Sequence, residues 1–301
     1  MREVLFPADG KGPVETTKPL CLLKLENTFT LRGGDICLLE PVNAPLEALR
    51  TSVLNGSYKK PYIIDNGETR SLHFDLRFVQ SSMDLDDPIR LRLRYTQRMM
   101  GFLLLHPTPK RITLIGLGGG SLAKYCHYHL PTTDLTVVEI DPYVVALREH
   151  FMVPADDHHF RVIIDDGLHH LVHAPAEIDV LLVDAYDGSG IAHSIAGQAF
   201  LSHAYQRLGP KGIFVMNLTG GLDRYAPLIA LVKKQFNEQV VNVPVDADGN
   251  HILYAFKQPR FSPDWAALRQ RAKTRQKSSF TNYFSFAQAL EHVWSGNGRG
   301  A

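Results

Sequence analysis

From residue 111 the chain keeps a strict rhythm, and this rhythm limits the fold more than any other feature. RITLIGLG, DLTVVEID, FRVIIDDG, DVLLVDAYDG and GIFVMNLTGG are short apolar runs rich in β-branched residues. SLAKYCHYHL, PYVVALREHF, LHHLVHA, AGQAFLSHAYQRLG and RYAPLIALVKKQFN follow them in turn, with apolar residues at helical spacing. Strands alternating with helices require crossover connections. The expected product is a mostly parallel sheet covered on both faces. VVNVPVD and HILYAFK, joined around Asp248-Gly249-Asn250, read as an antiparallel hairpin at the sheet edge.

The first part of the chain lacks that rhythm. CLLKLENTFT, DICLLE and LRFVQSSM read as strands, and PLEALRTSVLNG as a helix stopped by Gly56. KPYIIDNGETRSLHF reads as a hairpin on Asn66-Gly67. IRLRLRYTQRMMGFLLLH (89–106) reads as one helix ended by His106-Pro107. The expected organisation is a small β-rich region over 1–88 and an α/β domain over 89–301. Its tail carries a helix from SPDW, a basic stretch through Lys277 and a second helix near FSFAQALEHVW, before a disordered SGNGRGA.

In an open α/β sheet, ligands bind beyond the carboxyl ends of the strands. The first strand ends in GLGGGS, where Gly116, Gly118 and Gly120 let backbone approach a ligand at a helix N-terminus. The second ends in Glu139, about 20 residues on, where an acid grips ribose hydroxyls. The third ends in Asp165-Asp166-Gly167, and the fourth in Asp184 with Asp187 beyond it. Each has a plain structural alternative as packing or helix cap; Asp141 and Asp166 both sit where caps are needed. Together they outline an adenosine pocket with carboxylates at its mouth. A dehydrogenase uses a similar loop, but no second nucleotide-binding half follows. The pattern fits an α/β, Rossmann-like S-adenosylmethionine-dependent methyltransferase-like fold better.

On these motifs, residues 60–256 resemble the spermidine synthase family of polyamine aminopropyltransferases, and within it the bacterial spermidine synthase-like proteins with GLGGGS and DAYDG. The resemblance implies that Glu139 binds ribose and that Asp166 with Gly167 contacts adenine. It implies Asp184 as the base that deprotonates the attacking amine, with Asp187, Tyr95 and Gln80 beside the substrates. Tyr186 walls the amine channel or packs. The implied reaction moves an aminopropyl group from decarboxylated S-adenosylmethionine to a diamine such as putrescine, giving spermidine and methylthioadenosine without a metal. A homodimer or homo-tetramer is implied as well.

This chain departs from the family pattern near the substrates. Gly119 stands where the glycine loop usually carries Asp. Thr96-Gln97 replaces His-Glu, and Asp187-Gly188 replaces Asp-Pro. The alternatives are therefore a methyltransferase using intact S-adenosylmethionine on a small amine, and a non-catalytic nucleoside-binding homologue. Asp84, Asp86 and Asp87 are open to two readings, a polyamine-gathering patch or a solvated turn.

Composition excludes other classes. Net charge is +1, so no global field favours nucleic acid or membrane, and RQRAKTRQKSS alone is too short a basic patch to do so. Three scattered cysteines form neither a disulfide framework nor a zinc pattern. DDHHF and HHLVH lack companion ligands, so no metal is expected. With no apolar leader and no apolar run of about 18 residues, the expected location is the cytoplasm.

Overall fold

The computed structural model describes residues 19–26, 33–174, 177–187, 190–245, 249–276 and 281–297. The N-terminal region is a five-stranded antiparallel meander: β1 (Leu20–Leu25), β2 (Asp35–Pro41), β3 (Tyr62–Asp65), β4 (Thr69–His73) and β5 (Ser81–Asp84), in that order, with helix α1 (Leu46–Leu54) between β2 and β3. Asn66-Gly67 makes the β3–β4 turn as expected; Asn66 Oδ1 accepts from the Glu68 and Thr69 amides. Alternation gives this sheet two apolar faces. Ile36, Leu38, Tyr62 and Ile64 pack on one side with Val53 of α1. Leu39, Ile63, Leu72 and Met83 face the other way and join the main core. The meander is therefore continuous in packing with the rest of the molecule.

The expected helix over 89–106 is instead two short helices, α2 (Arg94–Met99) and α3 (Phe102–Leu105). Residues before Arg94 are drawn out of helix by charge: Arg90 and Arg92 both reach the buried Asp84 carboxylate. Gly101 lies at the junction of the two helices, tightly covered by the Phe286 ring. A Cβ there would lie 2.4 Å from Phe286 Cζ. Gly101→Ala is expected to cost about 1–3 kcal/mol by overpacking, read as a lower urea midpoint.

The main sheet contains β6 (Arg111–Ile115), β7 (Asp134–Glu139), β8 (Phe160–Ile164), β9 (Ile178–Val183), β12 (Leu208–Thr219), β13 (Val240–Pro244) and β14 (Asn250–Phe256). The two remaining strands, β10 (Tyr186–Asp187) and β11 (Gly190–Ile191), pair as a separate hairpin. The strand order is β13-β14-β12-β9-β6-β7-β8. β12, β9, β6, β7 and β8 are parallel neighbours, and β14 and β13 add antiparallel at one edge. The crossovers are α4 (Ser121–His129), α5 (Pro142–Ala146), α6 (Gly167–His173) and α7 (Gln198–Arg207); α8 (Ala226–Gln235) leads to β13. Two apolar cores cover the two faces. Residues 246–248, with Asp248 of the expected hairpin turn, lie outside the described residues, as does Lys277.

The tail forms α9 (Trp265–Gln276) and α10 (Tyr283–Asn297), tied by Arg269 Nη1 to Glu291 Oε1 at 2.6 Å. The expected disorder over SGNGRGA fails for its first three residues, which continue α10; residues 298–301 lie outside the described set. Among the described residues no helix is long and apolar enough to cross a membrane.

Candidate active site

β6 sends its chain one way to β7 and, through later strands, the other way to β9, so the strand order reverses between β6 and β9. A crevice opens at such a switch point. Gly116 and Asp184 stand at its two lips. The Asp184 amide donates to Ile115 O at 2.9 Å, and the backbones touch. A Cβ on Gly116 would lie 2.2 Å from Asp184 O, and Gly116 has φ +96°. Only glycine satisfies both demands.

The glycine loop continues with left-handed Gly118 and Gly120. Glu139, buried at the end of β7, holds it from below. Its Oε2 accepts from Leu117 N at 2.8 Å and its Oε1 from Asp141 N at 2.9 Å. Burial raises the Glu139 carboxyl above the usual carboxylate range, and these amides pull it back in part. Asp141 caps α5 through Tyr143 N, as its position implied. Asp166 caps α6, its Oδ1 accepting from the amides of Leu168 and His169. Gly167 is needed because a Cβ would meet Ile115 Cγ2 at 2.8 Å.

Sequence reasoning missed two apolar side chains here. Ile140 and Ile164 follow and end the second and third strands, yet they are 61% and 45% exposed. Both stand exposed next to the strand-end acids Glu139 and Asp165. Their signal was available: each is the apolar residue next to a strand-end acid.

Asp184 is half-buried, and each of its oxygens accepts one hydrogen bond. Tyr95 Oη donates to its Oδ2 at 3.1 Å, and Asn217 Nδ2 to its Oδ1 at 2.9 Å. Burial raises its carboxyl, while both hydrogen bonds favour the charged form. Tyr186 donates to Asn217 O at 2.6 Å and accepts from Thr219 N at 2.8 Å. Its hydroxyl is committed to backbone. Asp187 lies in β10, and its side chain is outside the described residues. Gln80 is half-buried, its backbone N–H donating to Leu72 O, one residue before Ser81.

Ser81 explains Gly119. A Cβ on Gly119 would lie 2.6 Å from Ser81 Oγ, and that hydroxyl stands 3.3 Å from Ser121 Oγ. A hydroxyl pair occupies the space a loop side chain would take. One turn into α4, the ammonium of buried Lys124 rests on Phe151 O at 2.7 Å and Met83 Sδ at 2.8 Å. Burial lowers it to about 8.

Neither reading of the acidic turn holds for Asp84, which is buried against Arg90 and Arg92. The histidines are used locally: His169 Nδ1 meets Asp165 Oδ1 at 2.8 Å, and His173 Nδ1 meets His169 O at 2.9 Å. Gln97 donates to Leu91 O at 2.8 Å.

Known proteins resemble this chain in sequence and in fold. The model of the spermine/spermidine synthase domain matches residues 93–222. The polyamine aminopropyltransferase of Chromobacterium violaceum is 38% identical over 77% of this chain and 89% of its own length. A probable spermidine synthase from Corynebacterium glutamicum superposes with TM-score 0.60 at 22% identity, over 71% of this chain and 85% of that one. Human methyltransferase-like protein 13 in complex with SAH superposes with TM-score 0.51 at 24% identity, over 67% and 92%. These last two share the fold. On the sequence match to its bacterial relative, the chain belongs to the spermine/spermidine synthase family of polyamine aminopropyltransferases.

Proposed function

We propose that this enzyme is an aminopropyltransferase that joins the aminopropyl group of decarboxylated S-adenosylmethionine to a diamine, putrescine in the simplest case. The observation that carries the reading is the half-buried Asp184 carboxylate at the switch-point crevice, aimed by Tyr95 and Asn217. An amine is protonated at neutral pH and cannot attack. Asp184 takes its proton, and burial tunes the carboxyl upward toward the working pH of a base. The freed nitrogen lone pair attacks the aminopropyl carbon attached to the sulfonium. A C–N bond forms and the C–S bond breaks, its electron pair neutralising sulfur. The leaving group is methylthioadenosine, so no Lewis acid is needed for departure. Asp187 is proposed to anchor the amine, and Gln80, Tyr95 and the Tyr186 ring to line its path. The nucleoside is read as lying over Gly116, Gly118 and Gly120 with ribose on Glu139, adenine beside Asp166-Gly167 and its ring against Ile140 and Ile164.

Glu139→Gln tests the ribose site. The amide presents N–H where either Leu117 or Asp141 also presents N–H, leaving one donor unsatisfied, at a cost of about 1–3 kcal/mol. Methylthioadenosine affinity is expected to fall about 10- to 100-fold by calorimetry.

One observation favours the second reading, methyl transfer from intact S-adenosylmethionine. Beside Gly119 stand the hydroxyls of Ser81 and Ser121, with no loop carboxylate to receive a donor ammonium. A mass-spectrometric co-product assay with putrescine and either donor separates them. Methylthioadenosine with spermidine supports aminopropyl transfer; S-adenosylhomocysteine with methylated amine replaces it. Binding of either nucleoside with no product leaves the non-catalytic reading. The same proposal makes the protein a cytoplasmic homodimer or homo-tetramer with an N-terminal unit over 1–88, acting on small molecules and not on nucleic acid or membrane.

A further inference from the structure

Asn217 is a polar residue inside a buried apolar strand. Met216 and Leu218 beside it are sealed in the core, and Asn217 itself is 3% exposed. An amide there is costly unless both its ends are hydrogen-bonded. Both are. Its Nδ2 donates to Asp184 Oδ1 at 2.9 Å, and its Oδ1 accepts from Asn250 Nδ2 at 3.3 Å.

The sheet dictates this row. β9, β12 and β14 are adjacent, and they carry Asp184 beyond the end of β9, Asn217 in β12 and Asn250 at the start of β14. Asn250 pairs with Thr219, two residues along from Asn217, so their side chains meet diagonally on one face. Tyr186 then pins the Asn217 carbonyl and the Thr219 amide, fixing the end of β12 against the hairpin that follows Asp184.

We propose that Asn217, itself oriented by Asn250, is a positioning residue that fixes the Asp184 carboxylate for proton transfer. The inference rests on the reading of Asp184 as the base. A carboxylate oxygen only accepts, so it requires the NH2 end of Asn217; Asn250 supplies the donor that keeps the other end turned away. Tyr95 holds the second oxygen from α2. Each oxygen keeps a further lone-pair direction for the amine proton. Among the described residues the titratable groups facing Asp184 are the phenols of Tyr95 on α2 and Tyr186 on its own hairpin. A donor lost from this set makes the charged form less favourable and moves titration to higher pH.

The test is the pH profile of kcat/KM with putrescine and decarboxylated S-adenosylmethionine, together with 13C-NMR titration of the Asp184 carboxyl, which needs no turnover. Asn217→Ala is expected to lower kcat about 10- to 100-fold and to move the acid limb to higher pH. Asn217→Asp keeps the shape but sets a second carboxylate against Asp184; the two share a proton, and the limb moves further in the same direction. Asn250→Ala moves it less, because Asn217 is still present but free to turn. Folded variants whose carboxyl titrates and whose limb falls at the wild-type pH overturn the proposal, whatever their kcat. Asp184→Asn separates the two levels. If it turns over normally, the base reading fails and the positioning reading with it. If it is inactive while the Asn217 variants keep the wild-type limb, only the positioning reading fails.

Discussion

Asp184→Asn is expected to lower turnover about 10²- to 10⁴-fold with little change in methylthioadenosine affinity. The asymmetry follows from the hydrogen bonds. The new amide can place its oxygen toward Asn217 Nδ2 and its NH2 toward the Tyr95 hydroxyl, which accepts as well as donates. The site keeps its shape and loses only its proton acceptor. Stability is expected to rise at neutral pH. The folded-state pKa of Asp184 is raised by burial, so its contribution is favourable at low pH and is lost as pH rises through that folded value. Asn has no such dependence, and the difference in stability between variant and wild type should widen across that window. Denaturant melts at several pH values read this, and single-turnover kinetics read the chemistry. Near-wild-type turnover removes Asp184 from the mechanism.

Gly116→Ala has the largest expected effect on the fold. Its φ of +96° is strained for any residue with a Cβ, and that Cβ would lie 2.2 Å from the carbonyl oxygen of Asp184. Strain and overpacking together are expected to cost about 2–5 kcal/mol, with a melting point lower by about 5–15 °C. Where the chain relieves the contact by parting β6 from β9, kcat falls too, because Asp184 moves with its backbone. Gly118→Ala is the matched control: φ is +51°, and a Cβ would meet only Ser81 Cβ at 3.9 Å. It should cost about 1–2 kcal/mol. Equal melts for the two variants would mean that the close approach at Gly116 is not what requires glycine.

Much of the architecture was legible because it is local. A β-branched run followed by a helical period specifies a βα unit without knowledge of its neighbours. Asn66-Gly67 specified its hairpin, and Asp141 and Asp166 their caps, for the same reason. Local patterning failed at residues 89–93. The apolar period there is helical, but Arg90 and Arg92 extend to Asp84 on a preceding strand, and a buried carboxylate outweighs the small propensity of a few residues. It failed again at SGN, where the helix runs on through Asn297.

The site divides along the same line. Sequence alone determined the parallel sheet, the glycine loop, Glu139 and the position of Asp184, because strand ends in such a sheet converge on one edge whatever the side chains do. Tertiary structure alone decided what Asp184 touches. Tyr95 lies 89 residues from it and Asn217 33 residues from it, and no period links them. It also decided that the Tyr186 hydroxyl serves backbone and that Ser81 fills the space over Gly119, with Lys124 buried nearby. Sequence patterns report the periodic demand of burying apolar area. Which donors meet around one carboxylate depends on strand order and register, set by the packing of the whole sheet.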